Sequence, residues 1–230
     1  MVSYGKTDTG SAWKFLTEEE VAGYSFSASE GEAYFIRNDR NNNGKAYVST
    51  RETGNFVRVP MGEMFTDEAR FFFEQVDGDV CYYIKNGAGK YINQVGSGEG
   101  NFVDNSSDAQ KWYVFKSPWV EGAYVIAKAD ESSKDSWHPT NDGEVMTYTF
   151  TDNASCWYLE SLGDVLEDAK TTHQTLANDL SVAVRNNYAF LPEKADELLA
   201  ELNGLLAGAE DTDAEKIAKI QALQAFDAVY

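Results

Sequence analysis

Two cysteines, two histidines and four prolines in 230 residues leave little material for several common designs. Two thiols, Cys81 and Cys156, cannot build the disulfide framework of a small secreted scaffold. His138 and His173 are too few for a histidine-based metal or catalytic centre. Basic residues are scarce: 19 Lys and Arg face 38 Asp and Glu, a formal net charge of −19. Such a surface repels phosphate backbones and anionic membranes, which argues against nucleic acid as a partner. No apolar run approaches the ~20 residues that span a bilayer, so no membrane insertion is expected. The opening "MVSYGKTDTG" lacks a basic n-region and an apolar h-region, so it is not expected to be a signal peptide. No P-loop, Rossmann fingerprint, H-E-x-x-H or G-x-S-x-G motif occurs, and no cofactor or metal is expected.

Aromatics, glycine and asparagine are plentiful, a profile of β structure with many turns. A threefold repeat organises them. "AYFIRN" (33–38), "CYYIKN" (81–86) and "AYVIAK" (123–128) open three units. Second segments follow at "KAYVST" (45–50), "KYINQV" (90–95) and "SWHPTN" (136–141), and third segments at "GNFVRV" (54–59), "GNFVDN" (100–105) and "GEVMTY" (143–148). "DEARFFFEQV" (67–76), "SDAQKWYVF" (107–115) and "DNASCWYLES" (152–161) close them. Twelve short strands in three fourfold units predict a closed β architecture, which leaves no exposed sheet edge. Ile36, Ile84 and Ile126, with Phe72, Trp112 and Trp157, are expected in equivalent core layers.

Residues 31–162 resemble the β-trefoil, and within it the ricin-type lectins; Gln110-Lys111-Trp112 matches that family's Q-x-W. Arg70-Phe71-Phe72 and Ser155-Cys156-Trp157 depart from it. The resemblance implies a carbohydrate-binding module.

"NDRNNNGKAYVST" (38–50) matches the first half of a calcium loop, yet position 12 counted from Asp39 is Thr50 where a bidentate acid is needed. The second unit has the shorter "NGAGKY" at this place, so the stretch reads as a hairpin turn.

Residues 1–30 form an N-terminal extension in which "GSAWKFLTEE" (10–19) looks like a surplus fourth segment, able to pack on the trefoil's open end. After Ser161 the apolar period becomes helical: Leu162, Val165, Ala169, Leu176 and Leu180, then Ala195, Leu198, Leu202 and Leu205, then Ile217, Ile220, Leu223 and Phe226. Residues 163–230 are therefore expected to form a three-helix bundle. Pro192 opens its second helix, and Thr212 with Glu215 caps its third. The last helix reaches Tyr230 without a stop signal, as expected of a piece of a longer, multidomain protein.

The third unit differs most from the others. Trp137-His138 is aligned with Tyr47-Val48 and Tyr91-Ile92. Trp137 reads first as an enlarged core aromatic, and otherwise as a stacking platform for a sugar ring, with His138, Asn141 and Asp142 bonding to its hydroxyls. Trp119, in the connection between units two and three, is either a second platform or a cap of the barrel. The lectin resemblance adds Asp39 as a hydroxyl-binding acid; Gly87 takes its place in unit two, and Asp130 lies one position out of register in unit three. His173 reads as a packed helix histidine. Both cysteines are expected as free thiols, Cys81 buried and Cys156 more exposed. Asn105 and Asn153 lie in glycosylation sequons.

The expected function is non-catalytic glycan or polysaccharide binding by a module of a larger extracellular or cell-surface protein. A structural spacer, or a module that binds a protein partner through its helices, is the alternative. An accessory domain of an enzyme is a third.

Overall fold

The computed structural model describes residues 23–40, 46–51, 54–96, 101–129, 135–149, 152–186 and 192–229. The 10–19 segment and Asp130 lie outside the described residues. Unit one contains β1 (Tyr34–Asn38), β2 (Ala46–Thr50), β3 (Phe56–Pro60) and β4 (Phe71–Gln75). Unit two contains β5 (Cys81–Asn86), β6 (Tyr91–Ile92), β7 (Phe102–Val103) and β8 (Trp112–Lys116). Unit three contains β9 (Tyr124–Lys128), β10 (Asp135–Pro139), β11 (Val145–Thr149) and β12 (Tyr158–Ser161). A 3₁₀ turn precedes each fourth strand, at Asp67–Ala69, Ser106–Asp108 and Asn153–Ser155.

First and fourth strands close on one another. β1 pairs with β4, β4 with β5, β5 with β8, β8 with β9, and β12 with β1. Reciprocal 2.7 Å hydrogen bonds between Tyr124 and Trp157 join β9 to the start of β12 and complete the ring. Second and third strands form three hairpins, β2–β3, β6–β7 and β10–β11. The six-stranded ring with three hairpins is a β-trefoil.

The register corrects the expected layer by one residue. Tyr34 pairs with Phe71, Tyr82 with Trp112 and Tyr124 with Trp157, so Phe71 and not Phe72 is the unit-one equivalent of the two tryptophans. Phe71 is buried, and Phe72 turns outward toward the Lys85 ammonium. The side-chain period of two forces one inward and the other outward.

Two residues that break the repeat fill the middle of the trefoil. Phe26, which precedes the first unit, packs against the threefold-equivalent Tyr34, Tyr82 and Tyr124 at ring distances of 5.3, 5.9 and 5.2 Å. Its backbone bonds to β8 and to the Tyr82 hydroxyl. Trp137 packs edge-on against Phe71, Trp112 and Trp157, at 6.0, 5.7 and 6.5 Å. The Trp112 indole donates to the Ile92 carbonyl and that of Trp157 to the Trp137 carbonyl. Trp137 is therefore equivalent to Ile92, and not to Tyr91. Contact with all three units places both rings close to the pseudo-threefold axis.

The helices are α1 (Leu162–Arg185), α2 (Pro192–Leu206) and α3 (Asp213–Val229). Their apolar stripes share one core with Phe35, Tyr47, Met64 and Ala69 of the trefoil. The stripe on α1 runs through Val165, Ala169, His173 and Ala177, which leaves Leu176 at its exposed edge. Thr212 and Glu215 make the reciprocal capping bonds. His173 is packed, as expected: Nδ1 faces the Ala169 carbonyl at 2.7 Å, and Nε2 faces the Leu223 carbonyl and the Asp227 carboxylate.

Glu210 ties α1 to α3 by accepting from Lys170 and Lys219. These partners, Lys170 first, hold its carboxyl below the usual range. A carboxyl whose pKa falls on folding stabilises the fold above its unfolded value, about 4.3, and stops doing so as pH drops through the folded value. Glu210→Gln should therefore lower the melting temperature at pH 7, and the gap from wild type should close as pH falls below about 4. An unchanged gap between pH 7 and pH 3 in thermal melts would show that charge is not the cause.

Candidate functional site

The candidate residues divide into three groups. Trp137 is fully buried and cannot present a face to a ligand, so the platform reading of this residue is corrected. Val48 and Ile92, its equivalents, are small enough to leave room near the axis for one indole.

The second group lies together around the β10–β11 hairpin. On β11, Val145 points inward, whereas Met146 and Tyr148 point outward, with Tyr148 51% exposed. His138 lies across from Met146, and its ring is 4.9 Å from that of Tyr148. Asn141 and Asp142 are exposed in the connecting turn, where Thr140 donates to Asp142. The aromatic face on this hairpin therefore belongs to Tyr148.

His138 is not free to bond to a ligand, which corrects a second expectation. Arg40 Nη1 lies 2.8 Å from its Nε2, and an arginine can only donate, so Nε2 is the acceptor. Nδ1 then carries the proton and donates to Ser155 Oγ at 3.0 Å, and Ser155 donates to the Thr149 carbonyl. Burial first, and then the positive charge of Arg40, push the His138 pKa down, in keeping with a neutral ring. Its part is to hold Arg40 in place.

Arg58 completes the group from β3. It donates to the Arg40 carbonyl at 2.8 Å and the Thr140 carbonyl at 2.7 Å, while its Nε is buried without a partner. Burial and the nearby Arg40 lower its pKa. Neither arginine stood out in the sequence. The one signal was "NDRNN", an arginine in a turn for which the shorter second-unit turn has no counterpart.

The third group stays apart. Asp39 pairs with Arg37, which also reaches Glu160 at 2.8 Å and lies over the Tyr158 ring. Thr50, at the twelfth position of the would-be calcium loop, is buried and bonds to the Glu68 carbonyl, so it is no metal ligand. Trp119 is 46% exposed in the β8–β9 connection, its backbone N–H held by Ser117. No hydrogen bond or ring contact among the described residues joins it to the β10–β11 group. Cys81 is buried as expected. Cys156 is buried too, against the expectation, because it packs with Ala123, Val125 and Ala127 and meets Ser117 Oγ at 3.1 Å. Burial pushes both thiols up, Cys81 to about 11, so both are unreactive at neutral pH. Two clefts of about 300 and 560 Å³ lie along Gly31, Glu32 and Phe72, one of them reaching Lys216 on α3; no candidate residue lines either.

No protein-family model matches the chain, and no curated protein matches it. Among solved structures it is similar to a GlcNAcα1-4Gal releasing endo-β-galactosidase from Clostridium perfringens, with 17% identity and a TM-score of 0.45 over 57% of this chain and 32% of that one. It is also similar to the β-trefoil BEL in an apo crystal form, with 14% identity and a TM-score of 0.47 over 60% of this chain and 98% of that one. The chain thus spans about a third of the galactosidase and nearly all of the BEL trefoil.

Proposed function

We propose that the chain is a non-catalytic carbohydrate-binding module of a larger extracellular or cell-surface protein, and that it holds a glycan on the outer face of the β10–β11 hairpin. The observation that carries this reading is the exposed Tyr148 ring beside His138, which in turn holds Arg40, on a hairpin whose turn exposes Asn141 and Asp142. An apolar ring face suits the C–H face of a pyranose, and short polar side chains around it suit its hydroxyls.

Covering about 60 Å² of the Tyr148 ring at roughly 25 cal/mol/Å² is worth ~1.5 kcal/mol, about tenfold in affinity. Titration of the chain with a panel of oligosaccharides should show that loss in Tyr148→Ala and little change in Trp119→Ala. A folded Tyr148→Ala that binds every ligand as wild type does would sink the reading.

A rigid spacer or protein-interaction module is the second reading. It is favoured by the core that the helices share with β1 and β2, and by the exposed Leu176 and Val182 on α1. Absence of binding to every oligosaccharide in the panel would support it.

A further inference from the structure

We propose that Arg40 recognises a carboxylate, so that the glycan held at this hairpin is an acidic one, bearing a uronic or sialic acid. The inference rests on the carbohydrate-binding reading and narrows it. Its basis is an electrostatic imbalance. Arg40 and Arg58 lie next to each other in a chain of net charge −19, yet neither forms an ion pair with a carboxylate among the described residues. By contrast, Arg37, three residues away, holds two carboxylates. Asp142 acts on Arg58, and Asp152 on His138, only from beyond ion-pair distance. The residues that follow Arg40, Asn41-Asn42-Asn43-Gly44-Lys45, include no acid.

Two like charges placed side by side, one of them with a buried unbonded N–H, cost stability unless something compensates. The scaffold nevertheless fixes them. His138 accepts from Arg40 and is itself locked through Ser155, while Arg58 grips the carbonyls of Arg40 and Thr140. Arg40 Nη1 is occupied by His138 and by the Pro139 carbonyl at 3.4 Å; no bond engages Nη2 or Nε among the described residues. A guanidinium with Nε and Nη2 to spare, on a residue whose carbonyl is held by a second arginine, matches the forked geometry of a carboxylate. Tyr148 flanks the same imidazole at 4.9 Å, so a sugar ring stacked on it can bring an exocyclic carboxylate to Arg40.

The test pairs each acidic probe with its neutral twin. Galacturonic, glucuronic and sialic acid oligosaccharides, and their carboxyl-reduced counterparts, are titrated into wild type, Arg40→Gln and Tyr148→Ala at low and high salt. Wild type should bind an acidic probe about tenfold more tightly than its reduced twin, with the preference weakened by salt. Arg40→Gln should erase the preference, so that an acidic probe and its reduced twin bind equally. Equal binding of both twins by wild type overturns the acidic assignment and leaves the carbohydrate reading standing. A preference that survives in a folded Arg40→Gln moves the carboxylate elsewhere and overturns it too. If no probe of either kind binds, both readings fall. Because the reduced twin alters only the ligand, the wild-type comparison does not depend on how well any variant folds.

Discussion

Trp137→Ala should destabilise the trefoil rather than disarm a binding surface, lowering stability by about 3–5 kcal/mol. Small domains have only about 5–15 kcal/mol in all, so such a loss takes a large share. The indole is fully buried and meets Phe56, Phe71, Trp112 and Trp157 edge-on, touching all three units. Val48 and Ile92 are too small to close over the space it leaves, because their size is what admits a single indole near the axis. The indole also carries a fault: its own Nε1 is buried without a partner. Trp137→Phe keeps most of the ring and removes that orphaned donor. It should therefore cost far less, within about 1.5 kcal/mol. Urea denaturation of both variants separates the cases. A Trp137→Ala protein of near wild-type stability would mean that the residue is not the centre of this core.

The threefold repeat was legible because each unit repeats its strand patterns and turn residues in the same order, although the turns differ in length. Register inside a unit was less so. Phe71, Phe72 and Phe73 offer two alignments to Trp112, and only the pairing of Tyr34 with Phe71 decides between them. The second strands were misaligned for a similar reason. The carbonyls of Ile92 and Trp137 accept the indole protons of Trp112 and Trp157, a long-range bond that no local pattern announces. The third unit was singled out, but the slip chose the buried aromatic of its hairpin over the exposed one. Saturation of His138 was illegible, since Arg40 lies 98 residues away and Ser155 comes from the next 3₁₀ turn. The helices were the easiest part: period, Pro192 and the Thr212–Glu215 cap are all local. Their docking on Phe35 and Tyr47 required the fold.

Phe26→Ala should destabilise the trefoil by about 3–5 kcal/mol, although the residue lies outside every repeat. The three threefold-equivalent tyrosines cannot fill the axis themselves. Tyr82 spends its hydroxyl on the Phe26 carbonyl at 2.7 Å and Tyr34 on Glu32, which fixes their rings around a gap that one phenyl fills. Phe26 meets Tyr34, Phe73 and Tyr124 edge-on, a geometry that adds about 0.5–1.5 kcal/mol per pair beyond burial. It comes from the stretch before the first unit, so that stretch is part of the folding unit, which begins ahead of residue 31. A local anchor also holds it: the Phe26 N–H bonds to the Val114 carbonyl on β8. Phe26→Leu keeps much of the volume but loses the edge contacts, and should fall between wild type and alanine. The measurement is the urea midpoint at constant m-value for the three proteins. A graded loss in the order Phe, Leu, Ala is the outcome expected of a ring that closes the core. A Phe26→Ala protein within 1 kcal/mol of wild type would mean that the three tyrosines close the axis unaided.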